Sequence, residues 1–220
     1  MADTGQDNLL REIDEDLRQE RYAKLWKTYG RYVIAATVIF VASVAGFQGW
    51  QTYDINLRSE EGRQFAAAQR LAADAKADEA LTAFGALSAD ATAGYALLSR
   101  FQEAALLAGK GDRVGAVAAY HAIAADTGID ALYRDLATVL AGLQEAEGTG
   151  DVQGALDRLA PIIADDNPWR HSAREVSAVL ALRKGDRAKA REFFDALATD
   201  PAAPRGIRSR AAEILAVIDG

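Results

Sequence analysis

Residues 185–197 read GDRAKAREFFDAL, and three further stretches repeat their plan: AKADEALTAFGAL at 75–87, GDRVGAVAAYHAI at 111–123 and GDVQGALDRLAPI at 150–162. Each opens on a small residue (Ala75, Gly111, Gly150, Gly185) and carries alanine five positions on (Ala80, Ala116, Ala155, Ala190). A large apolar residue follows at nine (Phe84, Tyr120, Leu159, Phe194) and another at twelve (Leu87, Ile123, Ile162, Leu197). The copies begin 36, 39 and 35 residues apart. A period in the middle thirties marks a stack of helix pairs, in which no pair buries its apolar face alone.

The chemistry of each position follows from that. Glycine accepts the left-handed conformation that ends one helix, and the aspartate after it caps the next. Alanine lets two helices approach, and the large residues four and seven positions later lie on the same helical face. The stretches between copies supply the partner helices, expected over 94–108, 131–146, 169–184 and 207–218. Seven residues before each turn stand Ala68, Ala104, Leu143 and Ala178, small in three copies of four. Asn167-Pro168, Asp200-Pro201 and Ala203-Pro204 place proline at or near helix starts. No alternating strand pattern of useful length appears, so the repeat region is expected to be all-α.

Ahead of the repeats, residues 32–50 read YVIAATVIFVASVAGFQGW, without a charge and with Gln48 as the only strongly polar side chain. At about 1.5 Å of rise per residue this helix covers roughly 28 Å, the hydrocarbon thickness of a bilayer. A buried core helix keeps a polar stripe and caps, absent here from Val33 to Phe47. A cleaved signal peptide would accept Ser43-Val44-Ala45 as its site, but the 31 residues before the stretch carry seven acidic residues, unlike a short basic leader. The stretch reads as one membrane span. Five basic residues against one acidic between Arg18 and Arg31, set against a balanced far side, orient the N-terminus to the cytoplasm. Tyr22, Trp26, Tyr29 and Tyr32 mark one water interface, and Phe47, Trp50 and Tyr53 the other. Three segments result: a cytoplasmic lead-in over 1–31, a transmembrane helix over 32–53 and an outer domain over 54–220. In the lead-in, Met1 to Asn8 is expected to fray, while Leu10, Ile13, Leu17 and Leu25 share a helical face.

Zero cysteines exclude a disulfide framework and thiol chemistry. The net charge of -7 argues against nucleic acid as a partner. His121 and His171 stand 50 residues apart, far from the three- or four-residue spacing of a metal pair, and read as surface or cap residues. Asp165-Asp166 reads as helix caps ahead of Pro168. Gly148, Gly150 and Gly154 approximate a glycine-rich loop, but no strand precedes them, so a phosphate site is not expected. No nucleophile, base and orienter set emerges, and neither catalytic residue, metal nor cofactor is assigned.

The pattern small-x(4)-Ala-x(3)-large-x(2)-Leu/Ile resembles the second half of a tetratricopeptide repeat, and residues 185–201 are the nearest copy. The first halves are degenerate, with Gln64, Arg100, Val139 and Arg174 where the family has a large aromatic. Together with the charged lead, LWKTYGRY at 25–32 and GFQGW at 46–50, the chain resembles the ancillary subunit family of the bacterial Sec translocon. That resemblance implies a non-enzymatic inner-membrane protein with a periplasmic solenoid of about four helix pairs. Its implied partners are translocon subunits, periplasmic chaperones and exported polypeptides, with a homo-oligomer open. Counting as in tetratricopeptide repeats, a concave protein-binding wall is expected from Phe65, Gln69, Leu98, Phe101, Leu140, Gln144, Glu175, Val179 and Arg183. The alternative function is a structural scaffold in an envelope-assembly or cell-division complex.

Overall fold

The computed structural model describes residues 4–148, 150–164 and 166–219, with side chains described over 23–218. Those residues form helices and turns, with no strand among them. Two compact units divide at Ser59 and Glu60.

Helix α1 (Thr4–Ala73) supplies the first unit and the opening turns of the second. It is unbroken across the segment boundaries expected at residues 31 and 53, and Thr4 to Asn8 is helical rather than frayed. Met1 to Asp3, and the side chains of Leu10, Ile13 and Leu17, lie outside the described residues. From Leu25 to Leu57 the large apolar side chains, Ile34, Phe40, Phe47 and Trp50 among them, are exposed. The threonine and serine hydroxyls along this stretch bond to backbone four residues back: Thr28 to Lys24 O (3.0 Å), Thr37 to Val33 O (2.8 Å), Ser43 to Ile39 O (2.8 Å) and Thr52 to Gln48 O (2.9 Å). These hydroxyls are thereby satisfied within the helix, as an apolar surrounding requires. The segment is long and apolar enough to cross a membrane.

In the second unit the last turns of α1 pair with α2 (Ala77–Asp90), joined by Ala68, Ala80, Phe84 and Leu87 in one apolar cluster. Then α3 (Ala93–Gly109) pairs with α4 (Arg113–Ala125), α5 (Ala131–Glu147) with α6 (Val152–Leu159), and α7 (Arg170–Lys184) with α8 (Arg187–Thr199). Helix α9 (Arg205–Asp219) packs on α8 and α7. Every alanine and large apolar residue of the four quoted copies' shared pattern is buried, from Ala80, Phe84 and Leu87 to Ala190, Phe194 and Leu197. Burial of each large side chain contributes about 1.5–3 kcal/mol, so this repeated triplet is the source of the stack's stability.

The turns follow the expected rule in two copies and depart from it in two. Gly111 (φ +83°) and Gly185 (φ +84°) are left-handed, and the next amide in each reaches back over the helix end, Asp112 N to Leu107 O and Asp186 N to Ala181 O, both 2.9 Å. Ala75 does the same with φ +60°, Lys76 N bonding Leu71 O at 2.9 Å, although alanine is strained there. Gly150 is not left-handed; α5 ends instead at Gly148 in extended conformation. Asp112, Asp151 and Asp186 cap α4, α6 and α8 by accepting from the N–H groups of Gly115, Gly154 and Lys189. Lys76 has no cap to offer α2.

The third copy is one residue longer between its close approach and its cap. Leu143, expected at the close approach, is 40% exposed. Gly142 takes the place instead, where an added Cβ would meet Leu159 Cδ1 at 3.0 Å and Val176 Cγ1 at 3.2 Å. Helix α6 is also shorter than its counterparts and tightens into a 3-10 turn over Ala160–Ile163, because Pro161 lacks the N–H that an α-helix needs.

Two opposite substitutions test the turn chemistry. Ala75→Gly relieves a left-handed alanine and should raise stability by about 0.5–1 kcal/mol, whereas Gly185→Ala should lower it by about 1 kcal/mol. Urea unfolding of the full chain followed by circular dichroism reads both, and equal midpoints for the pair would refute the assignment.

Candidate functional site

Polar contacts tie the first helix of each pair to the turn that follows its second helix. Buried Glu61 on α1 accepts from Thr92 N (2.7 Å) and Thr92 Oγ1 (2.5 Å), in the turn after α2. Arg100 on α3 donates to Asp126 Oδ2 after α4 (2.8 Å), and Asn167 after α6 donates to Asp135 Oδ2 on α5 (2.7 Å). His171 on α7 meets Asp200 Oδ2 after α8 at 3.0 Å. The turn residues Asp126, Asn167 and Asp200 also accept from the N–H two positions on, those of Gly128, Trp169 and Ala202. Each repeat is therefore latched from the first helix to the turn that leaves its second.

These latches correct two expectations. His171 is not a surface residue: it is 7% exposed and paired with Asp200. The start of α7 is organised by Asn167; Asp166 is an exposed turn residue and Asp165 lies outside the described residues. His121 is half-buried, its Nε2 3.3 Å from Glu145 Oε1.

Residues named for the binding wall fall into distinct settings. Phe65 is half-buried between the rings of Phe84 (5.3 Å, edge-on) and Tyr95 (5.8 Å), and Phe101 lies 6.2 Å from the ring of Tyr120. Leu140 packs in the same apolar cluster as Phe101, and Val179 touches the clusters on both sides of α7. Gln69 and Leu98 are exposed, Leu98 at 49%. Glu175 accepts from Arg210 Nε (2.7 Å) and Nη2 (3.0 Å), tying α7 to α9. Arg183 donates to the backbone carbonyl of Glu145, and Gln144 lines a cavity by the start of α4. Counted from the close-approach residues Ala68, Ala104, Gly142 and Ala178, the positions after them are Gln69, Ala105, Leu143 and Val179. Those three before them are Phe65, Phe101, Val139 and Glu175. The extra residue of the third copy thus exchanges Leu140 and Gln144 for Val139, which is buried, and Leu143, which is exposed.

The contacts around Glu145 escaped the sequence reading altogether. Arg158 Nη2 and His121 Nε2 converge on Oε1 from α6 and α4. The sole signal was a carboxylate directly before Ala146 on an apolar helical face. No group of three metal-ligating side chains forms among the described residues.

Residues 23–210 match a family model described as a tetratricopeptide repeat-like domain. The chain belongs to that tetratricopeptide repeat-like family. No curated protein and no solved structure matches it. The match begins at Ala23, so the apolar part of α1 and the helix pairs fall under one family model. Tetratricopeptide-like domains are protein-interaction modules, and the exposed side chains of their first helices are the surface such modules offer.

Two measurements test the latches. Glu61→Ala strands the Thr92 amide and should cost about 1–3 kcal/mol in urea unfolding, while an unchanged midpoint would show the contact to be incidental. The Asp126 carboxyl is held below its ordinary range by Arg100 and the Gly128 amide, and that of Asp200 by the Ala202 amide and His171. A depressed folded pKa contributes stability above the unfolded value, and that contribution is lost as pH falls through the folded one. The urea midpoint should therefore drop on acidification below about pH 4, and less steeply in the Asp126→Asn, Asp200→Asn double variant.

Proposed function

We propose that this protein is a single-pass, non-enzymatic membrane protein that binds partner polypeptides at the bacterial inner membrane. In this reading its N-terminus is cytoplasmic and its repeats lie in the periplasm, beside the Sec translocon and periplasmic chaperones, where newly exported chains emerge. The observation that carries it is the occurrence, under one family match, of a helix exposing apolar side chains from Leu25 to Leu57 and a protein-interaction repeat domain. The basic bias of Lys24, Lys27 and Arg31 ahead of the apolar stretch supports the orientation, and the resemblance over almost the full chain supports the place in export.

Site-directed photocrosslinking in intact membranes tests this reading. Photoreactive residues at Ala42 and Ala45 are expected to trap translocon subunits, and residues at Gln69, Leu98 and Val179 to trap exported chains or chaperones. Capture of division or envelope-assembly proteins instead would leave a membrane-anchored repeat scaffold and remove the export role.

A further inference from the structure

A cavity of about 700 Å3 opens where the first turns of α4 and α6 meet the last turn of α5. Its charged lining is Asp112, Arg113, Glu145, Glu147 and Asp151, four carboxylates against one guanidinium. Asp112 and Asp151 each use Oδ1 to cap a helix, accepting from Gly115 N at 2.9 Å and Gly154 N at 3.0 Å. Glu147 Oε2 accepts from Arg113 at 3.3 Å. Glu145 is 6% exposed; Arg158 and His121 hold Oε1, and Oε2 is buried without a hydrogen-bonding partner among the described residues. Arg158, and Arg183 at the Glu145 carbonyl, offset part of this negative charge. The under-satisfied carboxylate in a low-dielectric wall still favours a cation in the cavity.

The chemistry narrows the occupant. Both helix N-termini ending here already hold their own carboxylate, so an arriving anion meets negative charge. A bare metal ion lacks a cluster of three ligating side chains among the described residues. Val114 and Val117 add apolar lining that suits an aliphatic stem. We propose that the cavity receives a lysine or arginine side chain of a partner polypeptide. Its stem lies along Val114 and Val117, its cationic head meets Asp112, Asp151 and Glu147, and the buried Glu145 adds its field from the wall. This rests on the reading of the repeats as a polypeptide-binding module, and a free aliphatic diamine presents the same chemistry.

The test uses the full chain in lipid nanodiscs and fluorescence anisotropy with a labelled dodecapeptide of alternating alanine and serine carrying one central lysine. Norleucine and glutamate counterparts are the controls. The lysine peptide should bind about tenfold more tightly than the norleucine peptide, the size of a charge-assisted hydrogen bond, and the glutamate peptide more weakly still. The preference should collapse in the Asp112→Asn, Asp151→Asn double variant, whose asparagines keep the helix caps, and shrink in Glu145→Gln. Competition by 1,5-diaminopentane against the lysine peptide supports the site. Binding of the diamine without binding of lysine peptides would overturn a polypeptide occupant, as would equal affinity for lysine and norleucine or a preference that survives the double variant. Crosslinking of partners at Leu98 and Val179 together with any of those failures would leave the interaction module standing and remove only this pocket.

Discussion

Four helix pairs close where small residues meet. Ala68 faces the Ala80 helix, Ala104 the Ala116 helix, Gly142 the Ala155 helix and Ala178 the Ala190 helix, and all eight residues are buried. Because the backbones come this close, Phe84, Tyr120, Leu159 and Phe194 can reach across and fill the space between pairs. A larger residue at any of these positions would push the pair apart and open the large residues to water. The third pair makes the constraint visible: with one more residue before its cap, the small position moves from 143 to 142, where an added Cβ would crowd the side-chain ends of Leu159 and Val176.

Packing of this kind does not by itself fix where the next repeat begins. Polar latches do that, and the chemistry differs from one to the next. Glu61 sets a buried carboxylate on a backbone amide, Arg100 a guanidinium on a carboxylate, Asn167 an amide on a carboxylate and His171 an imidazole on a carboxylate. Their partners lie 31, 26, 32 and 29 residues away in sequence. Ordering the first helices is what presents their exposed residues, Gln69, Leu98 and Leu143, as a defined surface. Among the described residues the exposed apolar stretch of α1 makes no such latch; its threonine and serine hydroxyls bond their own helix and its large apolar side chains are exposed.

Periodicity alone determined the all-α class, the helix pairs and the buried triplets, because a stacked repeat must place an apolar residue at the same helical angle every time. The apolar stretch from Tyr32 to Trp50 and the aspartate caps at 112, 151 and 186 were equally plain, since each depends on neighbours within a few residues. Tertiary structure decided what depends on distant partners. It moved the close approach from Leu143 to Gly142, left Ala75 strained where glycine was the rule, buried His171 against Asp200, and brought Glu145 together with His121 and Arg158. The wall residues divide the same way. Phe65 and Phe101 follow from the repeat register, whereas the exchange of Leu140 and Gln144 for Val139 and Leu143 follows from a single inserted residue whose effect is felt only when Leu159 and Val176 close on the helix. Local chemistry repeats along the chain and can be read from it; a contact between side chains 24 residues apart leaves no period to read.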